Sequence, residues 1–295
     1  MMSKKQGYLI IATGPDQYLL GAVTAALSIR RYDLVREIAL ITDETSADRL
    51  PNPHPFDHVI KITEDENYFA YTLSFRTYEF SPFDETIYLD SDVLMLKDHV
   101  DQKWEIFENY EFGIEGRKIF SGPAHSYTVE EIQQLLEIKW VVNINGGVYF
   151  FRKGRTGSNV FDCCKKLFDS ELREYLIAPF MSDGSNRPGW NPADIMGIAL
   201  GVCAIQPVPD GYTKDSSLTD LIQACTPYCR DSYFDFENGQ YFLASGKDID
   251  DVRLLSGVFC HFCGFKPREK YIDLANKIRT LFNYSLISAK NFDNA

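Results

Sequence analysis

The segment with the most chemical content is Tyr88-Leu89-Asp90-Ser91-Asp92-Val93-Leu94-Met95. An apolar run breaks at two carboxylates one residue apart and then resumes. In an open parallel sheet, ligands sit beyond the carboxyl ends of the strands. Two acids at such a break can converge on one hard cation, Mg2+ or Mn2+, which takes oxygen ligands and shares its coordination with substrate phosphates. An Asp-Ser-Asp turn closing a hairpin is the plainer alternative. A second segment, Asn145-Gly146-Gly147-Val148-Tyr149-Phe150-Phe151, puts paired glycines at the entry to an apolar strand. A ligand can approach the backbone there, and the Asn amide can both donate to and accept from a sugar hydroxyl. A strand-entry bulge or turn explains the same residues.

The third segment, Cys260-His261-Phe262-Cys263-Gly264-Phe265-Lys266-Pro267-Arg268, supplies an imidazole, a glycine turn and a fixed cation. Imidazole suits Mn2+ beside carboxylates, and Lys266 can neutralise a phosphate as a point charge. Cys260 and Cys263, with Cys225 and Cys229 upstream, also allow a four-thiolate zinc site. The apolar, strand-like setting of Cys260 and Cys263 favours small buried hydrophobes instead.

These segments need a scaffold, and the first hundred residues read as one. The apolar runs 8–13, 38–42, 58–62 and 86–90 alternate with helical patterns at Gln17 to Arg31 and Tyr71 to Phe80. Strand, helix, strand with short polar connections predicts βαβ units and a parallel sheet covered on both faces. Thr128 with Glu131 three residues on forms a capping box opening a helix over 128–138. A strand over 141–151, a helix from Val160 to Tyr175, a strand over 257–262 and a closing helix from Tyr271 to Ile287 complete the expectation. Residues 181–192 are rich in turn formers and read as a loop over the sheet edge, with Trp190 in it.

The 295 residues allow two domains of about 150 residues on length alone. No repeat, low-complexity tract or linker divides them, so one domain over 1–295 is expected, with a core of about 7–268 and a C-terminal helix over 270–288. Thirty basic against 42 acidic residues, a net charge of −12, argue against a nucleic-acid backbone as the main partner and leave room only for a local basic pocket. Met1 to Gly7 is polar and no long uncharged run follows, so neither a signal peptide nor a membrane span is expected. Seven cysteines, an odd number, then fit reduced thiols in a cytoplasmic setting.

Taken in order, the three segments resemble the glycosyltransferases of GT-A fold, and most closely glycosyltransferase family 8, over about residues 7–268. That family includes glycogenin and the bacterial lipopolysaccharide galactosyl- and glucosyltransferases. The resemblance implies an α/β, Rossmann-like, mostly parallel central sheet flanked by helices. Ala12-Thr13-Gly14-Pro15-Asp16-Gln17-Tyr18, with Gly21-Ala22, is similar to the family's first strand and turn, which would place Thr13 and Tyr18 near the nucleotide base. Asp90 and Asp92 match its metal-binding Asp-x-Asp, with Asp90 close to the ribose and Ser91 on the donor side. Arg76 resembles a basic residue that reaches the donor diphosphate and sugar. Asn145, Gly146 and Gly147 match the Asn-x-Gly element beside the donor sugar. His261 matches the third metal ligand, and Gly264 and Lys266 the diphosphate-binding Gly…Lys-Pro.

The activity so implied is transfer of a hexose from a nucleoside diphosphate sugar, a UDP-sugar above all, to a hydroxyl acceptor, with retention and with Mn2+ or Mg2+ held by Asp90, Asp92 and His261. Lys266 and Arg76 would add positive charge at the leaving group, Asn145 would lie beside the reacting sugar, and Asp194 would orient the acceptor hydroxyl or act as its base. The chain departs from the family pattern in three places. Gly14-Pro15 replaces the usual Asn, the spacing from His261 to Lys266 is one residue shorter, and Pro192-Ala193-Asp194-Ile195 stands where an Asp-Gln-Asp is usual. The last departure keeps a second reading open, a nucleotide-sugar-binding protein without catalysis. A sugar-nucleotide pyrophosphorylase is disfavoured, because Ala12-Thr13-Gly14-Pro15 offers no glycine-rich basic loop. His54, His58, His99, His125 and Trp140 read as surface or packing residues.

Overall fold

A computed structural model describes residues 4–63, 70–98, 100–124, 127–172, 178–179, 188–189, 191–208, 221–223, 229–235, 240–245, 253–255 and 258–292. The chain opens with β1 (Gln6–Ile11), α1 (Asp16–Tyr32), β2 (Glu37–Asp43), α2 (Glu44–Asp48) and β3 (His58–Ile62). A 3-10 turn at Ala70–Arg76 leads into α3 (Thr77–Phe80), β4 (Glu85–Leu89), β5 (Val93–Met95), α4 (Val100–Phe107) and β6 (Phe112–Ile119). The short pair β7 (Pro123–Ala124) and β8 (Tyr127–Thr128) precedes α5 (Val129–Leu136), β9 (Val141–Arg152) and α6 (Arg155–Phe168). After β10 (Ala178–Pro179) and β11 (Pro188–Gly189) come α7 (Pro192–Val202), β12 (Leu221–Gln223), β13 (Cys229–Asp235), β14 (Gln240–Ser245) and β15 (Arg253–Leu255). β16 (Phe259–His261) and α8 (Arg268–Leu281) close the order, before a last 3-10 turn at Ala289–Phe292.

The architecture is α/β, with a mostly parallel six-stranded sheet in the order β3-β2-β1-β4-β9-β6. β1 and β3 both run parallel to β2, and β6 is antiparallel to β9. Tyr8, Leu9 and Ile10 and Ile38 to Ile41 are wholly buried. Both faces of these strands are covered, so they read as unbroken apolar runs and not as alternation.

Two compact units share the chain. One takes Met1–Gln6, Glu64–Tyr88 and Phe107–Leu218, the other Gly7–Thr63, Leu89–Ile106 and Thr219–Ala295. In the first unit, aromatic rings fill the space around β9. Tyr149 stacks on Tyr88 at 4.4 Å, and Phe150 on Phe107 at 4.5 Å. α7 lies directly on the backbone of β9. A Cβ on Gly197 would sit 2.0 Å from the Val142 carbonyl oxygen, and one on Gly201 2.3 Å from that of Trp140. These glycines, four apart on one helix face, allow the contact because neither carries a side chain.

In the second unit, α1 is bounded by chemistry at both ends. Pro15 precedes it and Asp16 lies in its first turn, Arg30 and Arg31 in its last, each sign where the helix dipole favours it. Asp33 ends it with extended backbone and accepts from the Tyr8 hydroxyl (2.6 Å), from Arg36 (2.8 Å) and from two backbone N–H groups. In the first unit, the expected capping box is present at α5, Glu131 accepting from the Thr128 N–H at 3.2 Å. α6 begins at Arg155, earlier than expected, and α8 ends at Leu281, because Asn283 turns the chain with φ 58°. Among the described residues, no helix is long and apolar enough to cross a membrane.

Candidate functional site

Asp90 and Asp92 lie in a tight turn that the Val93 N–H closes onto the Asp90 carbonyl at 3.0 Å. β5 starts at once and is held on two sides. Its Met95 N–H donates to the buried Ser28 hydroxyl of α1 at 2.9 Å, and its whole length pairs antiparallel with β16. That register sets His261 opposite Val93, while the Phe262 N–H donates to the Asp92 carbonyl at 3.0 Å. The imidazole is thereby delivered to the acidic pair. Its Nε2 lies 3.2 Å from Asp92 Oδ1 and 3.7 Å from Asp90 Oδ2, and one ligand atom from each of the three residues lies within 4.8 Å of the others. The Cys263 sulfur sits 3.4 Å from His261 Nδ1, which leaves Nε2 turned to the carboxylates.

The donor set fits a divalent cation. Asp92 is only 9% exposed; its Oδ2 accepts from the Gly264 N–H at 2.8 Å, whereas its Oδ1 is buried without a hydrogen-bond partner. Leaving such an oxygen unmatched costs about 1–3 kcal/mol, more for a charged group. A cation facing Oδ1, the Asp90 carboxylate and Nε2 would satisfy it, and two oxygens with one nitrogen suit the hard to borderline metals.

The loop after His261 has an unusual backbone. Gly264 and Phe265 both adopt left-handed angles, φ 61° and 60°. For a bulky residue that conformation is strained, and packing must hold it. Here the Phe265 ring lies against Phe292 at 4.9 Å, Tyr271 at 5.0 Å and Tyr18 at 6.0 Å. The bend aims the Gly264 N–H at Asp92 and leaves Lys266 exposed on the same loop, its own N–H bonded to the Phe262 carbonyl at 3.1 Å. Gly21 makes the arrangement possible. A Cβ there would stand 2.6 Å from the Ser91 carbonyl oxygen and 2.7 Å from the Phe265 ring. Thr13 is buried, and the following Gly14 takes φ 77° and donates its N–H to Asp43 at 2.9 Å. Burial would push the Asp43 carboxyl up, but donation from Gly14 and from Ser46 holds it below its usual range.

The remaining expected residues belong to the first unit. Asn145 Oδ1 accepts from the Gly147 N–H at 3.1 Å, and the nearest atom to a Cβ on Gly146 would be the Ala193 methyl at 3.8 Å. The Asn145–Gly147 element and the first turn of α7 are therefore neighbours. That turn is set by Asn191, whose side chain accepts from the Ala193 N–H at 3.0 Å, with Pro192 at the first position. Asp194, 5% exposed, follows. Burial and then the charge of Asp194 push the Tyr127 phenol up. Arg76 pairs with Glu79 at 3.0 Å and lies over the Phe80 ring at 4.7 Å.

No protein-family model matches the chain, and no curated protein matches it. Solved structures are similar. An active-site mutant of LgtC has 13% identity and a TM-score of 0.50, over 92% of this chain and 95% of that one. The galactosyltransferase LgtC with donor and acceptor sugar analogues has 12% identity and a TM-score of 0.46, over 96% and 98%. The glycosyltransferase GlyE of Streptococcus pneumoniae TIGR4 has 17% identity and a TM-score of 0.43, over 70% of this chain and 46% of that one. The chain thus spans about half the length of GlyE. The fold is that of the GT-A glycosyltransferases.

On this fold, the second unit holds Tyr18 in α1, Asp90, Ser91 and Asp92 in the turn before β5, and His261, Gly264 and Lys266 at the end of β16 and in the loop after it. The first gathers Asn145, Gly146, Gly147 and Asp194, and holds Arg76 in its ion pair with Glu79. Sequence reasoning gave no role to Asp43 or Gly21, and offered Cys263 only as a zinc thiolate, not as a partner of His261. Only Gly21 carried a signal, as the glycine of the Gly-Ala pair in the resemblance. His58 pairs with Glu37 at 2.7 Å, and Trp140 is buried under Lys118, as packing roles require. His99, His125, Trp190, the 181–187 segment, Cys225 and the Cys229 side chain lie outside the described residues, and the four-thiolate alternative with them.

Proposed function

We propose that the protein is a metal-dependent glycosyltransferase that moves a hexose from a nucleoside diphosphate sugar, a UDP-sugar above all, to a hydroxyl acceptor with retention. The observation that carries this reading is the Asp90–Asp92–His261 cluster with its unmatched buried Asp92 oxygen, on a GT-A fold. A bound Mn2+ or Mg2+ supplies charge that stabilises the departing diphosphate. Asp90 and Asp92 supply oxygens and His261 an imidazole nitrogen to hold it. Lys266, exposed on the loop that also donates to Asp92, contributes fixed positive charge to the same leaving group. Thr13 and Tyr18 belong to the nucleotide side, with Ser91. In the first unit, Asn145 with Gly146 and Gly147 is assigned to the donor sugar, and Asp194 to the acceptor hydroxyl as its orienting group or base. Arg76, paired with Glu79, is assigned to the diphosphate.

A second reading, donor binding without transfer, is favoured by Pro192-Ala193 standing directly before Asp194. One experiment separates the two. A panel of nucleotide sugars is screened with Mn2+ for thermal stabilisation and for donor hydrolysis. Stabilisation and hydrolysis by the same donor, both lost in excess chelator and in Asp92→Asn, support the transferase. Stabilisation without hydrolysis supports the binding protein. No response to any donor with metal overturns both.

A further inference from the structure

The described cysteines 163, 164, 203, 260 and 263 are free thiols. Cys164 and Cys260 are wholly buried, and Cys263 is engaged with His261. Cys163 and Cys203 are different. Cys163 lies on α6, Cys203 caps the C-terminal end of α7, and both are half-buried. Two contacts fix the Cys203 sulfur over one turn of α6: it hydrogen-bonds the Cys163 thiol, and it donates to the Asn159 carbonyl, one turn before Cys163, at 3.7 Å. α7 cannot slide to break them, because Gly197 and Gly201 seat it against β9.

We propose that Cys163 and Cys203 are a redox modification site, closing to a reversible disulfide between α6 and α7 under a peroxide oxidant. The thiolate is the nucleophile in such chemistry, and donation from the Cys163 thiol holds Cys203 below its usual range while Cys163 is pushed up. The Cys203 thiolate attacks one peroxide oxygen; the S–O bond forms, the O–O bond breaks, and hydroxide leaves to take up the proton that Cys203 had released. Cys163, deprotonated to solvent, then attacks the Cys203 sulfur. The S–S bond forms, the S–O bond breaks, and the departing hydroxide takes up that second proton. Two thiols and one hydrogen peroxide give one disulfide and two waters, each sulfur losing one electron and the peroxide gaining two. A small dithiol reverses the step by exchange. Cys164, next to Cys163 in sequence but sealed in the core, stays out of it.

The test is titration of the full chain with hydrogen peroxide at neutral pH, followed by thiol alkylation and peptide mass spectrometry before and after dithiothreitol. The expected product is a Cys163–Cys203 cross-linked peptide lacking two hydrogens, absent after reduction, with Cys164 alkylated only in denaturant. Cys203→Ser removes the cross-link and leaves Cys163 alkylatable. Should that variant fail to fold, Cys163→Ser serves in its place, and the wild-type map decides by itself. A cross-link from either residue to a third cysteine, or over-oxidation of both thiols with no cross-link, overturns the proposal.

Discussion

Asp92 has one oxygen with a hydrogen-bond partner and one without, and the difference makes it the most informative residue to change. Oδ2 holds the Gly264 N–H, so an Asn that presents its carbonyl there keeps the loop in place, while its amide nitrogen cannot ligate a cation. We expect Asp92→Asn to fold and to lose stabilisation by Mn2+. A ligand bound only to the folded state adds about 2.7 kcal/mol at a hundred times its dissociation constant. Calorimetric melting with and without Mn2+ should read that increment in the wild type and none in the variant. An undiminished increment would place the cation elsewhere. Gly21 tests the same site from behind. Its missing Cβ is matched by a backbone oxygen at 2.6 Å, which cannot rotate away, and by the Phe265 ring. Gly21→Ala should therefore cost about 1–3 kcal/mol by overpacking and disturb the 264–266 loop. Denaturant unfolding checks the first effect and the Mn2+ increment the second. Unchanged values of both would mean that the close approach is not rigid.

At the scale of elements, the bearing of α7 on β9 decides where Asp194 stands. The Val142 oxygen would lie 2.0 Å from a Cβ on Gly197, so Gly197→Ala must lift the helix off the strand. About 3 kcal/mol of destabilisation is expected, at the upper end of overpacking costs. Gly146→Ala is the internal control, since its Cβ would meet only the Ala193 methyl at an ordinary 3.8 Å. Its stability should stay within about 0.5 kcal/mol of the wild type, and equal losses for the two variants in urea would contradict the packing argument. The strands of this scaffold were legible because continuous burial writes itself as apolar runs, and the start of α5 because Thr128 and Glu131 form a local box. The onset of α6 was not, because Arg155-Thr156-Gly157-Ser158 carries almost no apolar period. The site was legible only in part. Paired carboxylates at a strand end show in the sequence, but the antiparallel register of β5 with β16 joins residues far apart, and only the resemblance to a known family linked His261 to them. α7 was not among the expected helices, and the close approach of Gly197 and Gly201 depends on a strand the helix cannot announce.

For the whole molecule, the acid side of its stability can be argued in sign. Asp33 and Asp43 in one unit, and Glu79, Glu85 and Asp162 in the other, all sit below their ordinary range. Glu85 shows why. Burial alone would push it up, but Gln6 (2.9 Å), Lys4 (3.0 Å) and Arg152 (2.7 Å) all donate to it. A carboxyl with a depressed folded value contributes stability that is fully present above its unfolded value, about 3.9 for Asp and 4.3 for Glu, and is lost as the pH falls through the folded one. Stability should therefore be flat with respect to these groups near neutrality and fall below about pH 5. Relief of self-repulsion works the other way, because acid removes part of the −12 charge. Salt tells the two apart: a Debye length of about 8 Å at 0.15 M screens diffuse repulsion and leaves hydrogen-bonded pairs largely intact. Glu85→Gln should cost roughly 2 kcal/mol at pH 7, since it strips the charged partner from the half-buried Arg152, and should flatten the acid limb. Urea midpoints of both proteins from pH 3 to 7, at low and moderate salt, measure this, and parallel curves for variant and wild type would show that Glu85 takes no part in the acid response.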